Sequence, residues 1–339
     1  MNGEATHSGQ GTEAPTYLAE RTIETAGLVK LYESGRRALD SLDLSAAAGQ
    51  VYGLVGPNGA GKSTAIGCLL GLLRPTAGSA SVMGLDLRGA DPRDRARIGA
   101  VLQEPRLPDR WTGRDLMAER AAQIPSWDDS LAKRLVQGFD LGRDLDVPTG
   151  TLSGGRRRLL SVILALAGRP EVLILDEPAA NLDPIARRGF LDALVHSLSE
   201  DRPPTVLLSS HLLADLERLA DRVGIMDRGR MRMEGGMDAL KDRFQRAQWI
   251  FEDDLPASFQ LPVRTHDLRR EGRVISAVVE LGSEAERAAL HAVPGARLDL
   301  FPLSLEDLFV AVLRKDLPPS GSDVDRIPSL GSKPDDASA

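Results

Sequence analysis

The chain has a single cysteine, Cys68. One thiol excludes an intramolecular disulfide and any zinc site built from several thiolates, and five scattered histidines do not replace them. Long apolar runs are missing too. The longest, Leu159 to Ala167, is about half of the ~20 residues that a bilayer helix needs. The segment Met1 to Thr16 has neither a basic n-region nor an apolar h-region, so no secretion signal is expected. Excess basic charge is also absent. Lys and Arg total 42 against 49 Asp and Glu, and a net charge of −7 does not suit a general polyanion binder. No internal repeat is visible. These absences predict an intracellular, water-soluble chain; any membrane part of its process would belong to another polypeptide.

What is present begins with size. The 339 residues suffice for about two domains of ~150 residues, and 42% hydrophobic content supplies a sizeable core. Residues 1–19 lack apolar periodicity, and 316–339 are rich in Ser, Pro, Asp and Gly; both ends are predicted to be disordered. The segment 20–240 opens with strand-like pieces, Arg21 to Lys30, Leu39 to Leu44 and Val51 to Val55, and continues with a helix over Lys62 to Leu73. Short Val/Ile/Leu runs follow at Ile98 to Leu102, Val172 to Leu175, Val206 to Leu208 and Val223 to Met226. Such runs, alternating with helical patterns, predict buried strands of an α/β sheet. From about 105 to 168 the pattern is helical, an insertion in which Trp111 and Trp127 are expected to pack. Residues 241–315 read as a small α+β unit: a strand over Arg273 to Leu281 and helices over Glu284 to Val293 and Ser304 to Leu313.

Gly56-Pro57-Asn58-Gly59-Ala60-Gly61-Lys62-Ser63-Thr64 fits the phosphate-binding pattern G-x-x-x-x-G-K-[ST]. Glycines let successive backbone N–H groups turn toward phosphate oxygens, and the following helix points its positive end at them. Lys62 suits the β- and γ-phosphates and Ser63 a Mg²⁺ ion. Four apolar residues from Val172 deliver Asp176 and Glu177 to the end of a strand. Read alone, that is a core strand ending in a solvated turn. Beside a phosphate loop, Asp176 suits the Mg²⁺ sphere and Glu177 the attacking water. Ser153-Gly154-Gly155 before an arginine-rich helix start reads alone as an N-cap, or as a second anion site. His211 ends another apolar strand. A lone histidine is more often structural, but ligands in open α/β sheets lie beyond the carboxyl ends of strands. The phosphate loop, Gln103, Asp176-Glu177 and His211 each follow a separate strand at that edge.

In this order the motifs resemble the nucleotide-binding subunit of an ATP-binding cassette (ABC) transporter, over about residues 20–240. The resemblance implies a P-loop cassette with an antiparallel β subdomain and a helical insertion, binding ATP with Mg²⁺. It implies that Gln103 contacts Mg²⁺ and water, that Leu152 to Arg156 is the family signature and that Glu177 is the catalytic glutamate. It further implies that Asn181-Leu182-Asp183-Pro184 crosses a dimer interface, that His211 contacts the γ-phosphate and that Tyr32 stacks on adenine. Ala179-Ala180-Asn181 and Arg156 depart from the commoner Thr-Ser-Gly and Gln or Met; neither departure removes a catalytic group. Ser209-Ser210-His211-Leu212-Leu213, Gly229-Arg230 and Leu303 to Phe309 are similar to the bacterial branch that pairs with ABC-2-type permeases, often exporters of drugs, antibiotics or peptides.

One P-loop and one signature per chain imply a head-to-tail dimer, of this chain or with a paired ABC subunit. Ser153, Gly154 and Gly155 would then act on the partner's nucleotide. The implied location is cytoplasmic, peripheral on the inner face of the cell membrane against a separate permease, with no nucleic acid expected. The rivals are a soluble ABC ATPase acting on DNA or ribosomes and a non-hydrolysing module. Pro105 to Gly168 is too short for the coiled coil of the DNA-repair type, the translation type carries two cassettes, and Glu177 with His211 argues against the module.

Overall fold

The computed structural model describes residues 21–252, Leu261 and 265–314. The ends predicted to be disordered, 1–19 and 316–339, lie outside the described residues. The chain divides into two compact units, Met1–Lys241 and Asp242–Ala339.

The first unit runs β1 (Arg21–Leu31), β2 (Arg37–Ala47), β3 (Val51–Val55), α1 (Lys62–Leu69), β4 (Ala77–Val82), α2 (Pro92–Arg95), β5 (Ile98–Val101), α3 (Gly113–Gln123), α4 (Asp129–Gly138), α5 (Gly154–Leu166), β6 (Val172–Asp176), α6 (Pro184–Leu198), β7 (Thr205–Ser209), α7 (Leu213–Leu219), β8 (Arg222–Asp227) and β9 (Arg230–Gly236). Strands β2, β1 and β4 form an antiparallel sheet in that order. The other six form one sheet, β5-β6-β7-β3-β8-β9, parallel except for β9. Every residue of β3, β6 and β7 is buried, as near-continuous apolar strands covered on both faces require. Helix α1 lies between the two sheets. Its Ile66 and Leu69 share a core with Leu28, Leu39, Leu42, Val172 and Ile174.

The insertion consists of α3, α4 and α5. Helix α5 is buried without a break from Arg158 to Leu166, as an all-round aliphatic helix must be. Two expectations are corrected. Helix α1 stops at Leu69, short of Leu73, because Gly71 turns left-handed at φ +70° and the N–H groups of Leu72 and Leu73 both donate to Gly67 O. Trp111 does not pack into the insertion; its residue is 42% exposed, and its backbone instead braces the loop before α5, its C=O accepting from Thr149 N–H at 2.8 Å. Trp127 is half-buried, with Nε1 donating to Asp129 at 2.8 Å.

Helix α8 (Met237–Arg243) runs across the division. The second unit continues with β10 (Phe244–Phe251), β11 (Thr265–Glu271), β12 (Val274–Glu280), α9 (Glu284–His291), β13 (Ala296–Pro302) and α10 (Leu305–Arg314). Its four strands form an antiparallel sheet, β11-β12-β10-β13. The predicted strand and both predicted helices correspond to β12, α9 and α10. No strand is predicted at β10, β11 or β13. The two edge strands, β11 and β13, carry charged residues that hide the alternation.

Trp249, fully buried, is the centre of this core, packed with Ile275, Val279 and Leu290, and its Nε1 donates to Leu290 O at 3.1 Å. Trp249→Ala is expected to destabilise the second unit by about 3–5 kcal/mol through the cavity it leaves. Urea unfolding followed by circular dichroism reads this loss; a change under 1 kcal/mol would mean that the core closes without the indole.

Candidate active site

Four neighbouring strands, β5, β6, β7 and β3, deliver their carboxyl ends to one edge. Residues 56–61 leave β3 in a loop that only glycine permits at two points. A Cβ on Gly56 would lie 2.6 Å from Met226 O, and one on Gly61 would lie 2.6 Å from Ala38 O, where φ is +112°. The loop is anchored from outside, Gly229 N–H donating to Ala60 O at 2.8 Å, and braced within, Ala60 N–H donating to Pro57 O at 3.0 Å. Asn58 and Gly59 form its exposed tip.

Lys62 opens α1 with its side chain 7% exposed. Its Nζ donates to Gly56 O at 2.7 Å and Pro57 O at 3.4 Å, and stands 3.9 Å from Glu177 Oε1. Burial pushes the Lys62 ammonium below its ordinary value, while Glu177 and Asp176 pull it back up. The loop thus encloses a cation held by neutral carbonyls, an arrangement suited to an anionic ligand. Ser63 Oγ donates to Gln103 Oε1 at 3.4 Å, so the loop after β5 meets the first turn of α1. Tyr32 Oη lies 3.4 Å from Thr64 Oγ1 in the same turn, with Lys30 Nζ 5.3 Å from its ring centre.

Asp176 and Glu177 leave β6 through a strained turn in which Glu177 has φ +50°. Ser209, opposite Asp176 on β7, holds both. Its fully buried hydroxyl donates to Asp176 Oδ1 at 2.6 Å and accepts from Glu177 N–H at 3.0 Å; the same N–H reaches Ser209 O at 3.1 Å. The sequence names Ser209 only within the branch motif and gives it no role in the site. The signal was a hydroxyl ending an apolar strand, legible only once β7 is known to lie beside β6. Glu177 Oε2 lies 2.5 Å from His211 Nδ1 and accepts the His211 N–H at 3.2 Å. The imidazole therefore faces the glutamate through Nδ1.

The signature residues are placed differently. Ser153 caps α5 by accepting Arg156 N–H at 3.3 Å, and Ser153 and Gly154 are exposed. Their hydrogen bonds stay within α5, so this helix N-terminus faces outward. Asp183 caps α6 by accepting from Ile185 and Ala186 at 2.9 and 3.0 Å. The bond from Ala186 does most to hold its carboxyl below the usual carboxylate range.

The site suits magnesium through its chemistry. Ser63, Gln103 and Asp176 offer a hydroxyl, an amide oxygen and one carboxylate, a hard-oxygen set that leaves room for substrate phosphates. Among the described residues, no cluster of three or more His, Cys, Asp or Glu forms a self-sufficient cage.

Comparisons with known proteins give the chain its relatives. The family model described as ABC transporter matches residues 39–180. The daunorubicin/doxorubicin resistance ATP-binding protein DrrA of Streptomyces peucetius is 39% identical over 285 residues, which is 82% of this chain and 81% of that one. A Nod factor export ATP-binding protein I of Neorhizobium galegae is 34% identical, over 87% of this chain and 86% of its own length. The bacitracin transport ATP-binding protein BcrA of Bacillus licheniformis is 30% identical, over 86% of this chain and 97% of its own. Among solved structures, the ATP-binding subunit of an ABC transporter superposes with a TM-score of 0.59 at 27% identity, covering 65% of this chain and 92% of that one. The fold is shared with a dimeric post-hydrolysis cassette bound to ADP and phosphate, at a TM-score of 0.56 and 22% identity, covering 63% of this chain and 98% of that one.

Proposed function

The chain belongs to the family of ABC transporter ATP-binding subunits, and from that premise we propose that it works as a head-to-tail dimer with composite nucleotide sites on a separate membrane-spanning permease. It is the ATPase of an exporter, and the cargo is a drug, antibiotic or peptide. One observation carries the reading: Lys62, Gln103, Asp176, Glu177 and His211 stand together at the carboxyl edge of four adjacent strands. The exposed start of α5 supports the dimer, since a helix N-terminus open at the surface suits phosphate held by a second subunit.

The work of each residue follows from its place. Glycine-loop N–H groups and Lys62 bind the β- and γ-phosphates, Lys62 exchanging the carbonyls of Gly56 and Pro57 for phosphate oxygens. Tyr32 receives the adenine ring. Ser63, Gln103 and Asp176 hold Mg²⁺, which when bound spreads positive charge over the phosphate oxygens. Glu177 accepts the proton of the attacking water, and His211 fixes the Glu177 carboxylate while turning Nε2 toward the γ-phosphate. Ser153, Gly154 and Gly155 of the second subunit close the site, and the Asn181–Asp183 turn crosses the interface.

Among the described residues no helix is long and apolar enough to cross a membrane. Membership of the transporter family supports a peripheral place on the cytoplasmic face, against the permease. A groove of about 370 Å³, lined by Leu72, Leu102, Pro105, Leu107 and Ile124, brackets Gln103 and suits a permease segment. Leu72 is 59% exposed there. The test is co-purification from cells of origin. A multi-span membrane protein retained with the chain supports the reading; nucleic acid retained in its place would overturn it.

A further inference from the structure

We propose that Arg158 is a positioning residue that fastens the Gln103 loop to the turn after Glu177, so that metal engagement at Gln103 is felt at the dimer-facing turn. Three consecutive arginines look alike in sequence, but α5 rotates each by about 100°. Arg156 reaches Asp144 at 2.9 Å and Arg157 reaches Asp109 at 3.3 Å, both as partly exposed ion pairs. Arg158 turns inward and is 7% exposed. One arm of its guanidinium, Nη1, donates to Ala180 O; the other, Nη2, donates to Gln103 O. Its Nε is buried without a hydrogen-bond partner among the described residues.

A buried cation held by two neutral carbonyls is a poor way to fill a core, since an apolar side chain would avoid its desolvation. Burial pushes the guanidinium below its ordinary value, and the negative charge of Glu177 opposes that push. What Arg158 does supply is a rigid fork with two fixed directions of donation, which lysine lacks. The two carbonyls belong to loops 77 positions apart, one after β5 and one between Glu177 and Asp183. Ala180 N–H donates to Glu177 O at 3.1 Å, so the clamped carbonyl sits on the turn that carries the catalytic glutamate. A Cβ on Gly155 would lie 3.7 Å from Leu182, so the first turn of α5 rests on the same segment. Gln103, the 177–183 turn and the signature helix are thus joined at one side chain. This inference rests on the reading of Gln103 and Asp183 above.

Full-length Arg158→Met and Arg158→Lys test it, beside Gln103→Ala and the Arg158→Met/Gln103→Ala double variant. Arg158→Met is expected to bind ATP in EDTA as the parent does, because the glycine loop is untouched. It is expected to lose the gain in ATP affinity that Mg²⁺ confers. Its kcat falls roughly 10²-fold with little change in KM, the cost of misplacing a positioned group by about an ångström. Arg158→Lys, which keeps the charge but not the fork, recovers only part. If Arg158 acts through Gln103, the double variant is no worse than the poorer single one; a role in folding alone would make the losses multiply. A folded Arg158→Met with parental kcat and Mg²⁺ response overturns the proposal, as do multiplying losses. Should Arg158→Met fail to fold, Arg158→Lys with parental kcat does so. Gln103→Ala separates the two layers: lowered kcat there with unchanged Arg158→Met leaves the site standing without the clamp, whereas an unaffected Gln103→Ala removes the site reading and the clamp together.

Discussion

Glu177→Gln is expected to lower steady-state ATP hydrolysis by about 10²–10⁴-fold, the usual contribution of a positioned base. The amide keeps the length of the side chain and still accepts the His211 N–H, so the loop geometry set by Ser209 survives. Lost is only the carboxylate that takes the proton from water. ATP then binds without being consumed, and because ATP favours the closed dimer, the dimer accumulates by mass action. Gel filtration with MgATP reads this directly. Adding Ser153→Arg to the same chain places a bulky cation at the exposed start of α5 and is expected to return the dimer to monomer. Hydrolysis within tenfold of the parent would assign the base elsewhere. A Glu177→Gln chain that stays monomeric with MgATP, with and without its permease, would reject the composite site.

Lys62→Ala is expected to weaken MgATP binding at least tenfold and to remove most turnover, roughly 10²–10³-fold for the loss of a fixed charge on the transferring phosphate. The fold is expected to tolerate the change. Lys62 is a buried ammonium held by two loop carbonyls, and its burial already disfavours the charge. Removing it relieves that desolvation, while Glu177 keeps its contacts with His211. Calorimetric titration with MgATP, phosphate release and a thermal melt separate the outcomes. Near-parental turnover would displace the phosphate site from this loop, and a collapsed melt would show that Lys62 holds the fold together.

How much of this was legible depended on whether a signal was local. The glycine loop, the paired acids after β6 and His211 after β7 each announce themselves within a few residues, because strand, turn and chemical group are consecutive. That they converge follows from the general rule that parallel strands present their carboxyl ends together. What escaped was set by neighbours remote in sequence. Ser209 matters only because β7 pairs with β6. Arg158 is one of three arginines until the helix phase points it at Gln103 and Ala180. Strand β4 reads Ala-Gly-Ser-Ala-Ser-Val, too poor in branched residues to signal a strand, yet it completes the antiparallel sheet at its edge beside β1. Trp111 misled in the other direction: aromatic bulk predicts burial, but its loop leaves it on the surface.

The position of β3 also sets a timetable for biosynthesis. The strand that leads into the glycine loop is hydrogen-bonded on one side to β7, with Val51 opposite Val206, and on the other to β8, with Val55 opposite Ile225. The β1–β2 hairpin can zip as soon as it leaves the ribosome, since its partners are adjacent in the chain. The loop after β3 must wait for partners made 155 to 170 residues later, on the order of ten seconds or more at ordinary translation speeds. The glycine loop is thus among the first parts of the site to be synthesised and among the last to gain its walls, so a nascent chain paused before β7 carries the motif without a pocket. Nucleotide is therefore expected to stabilise late folding intermediates and to do nothing for early ones.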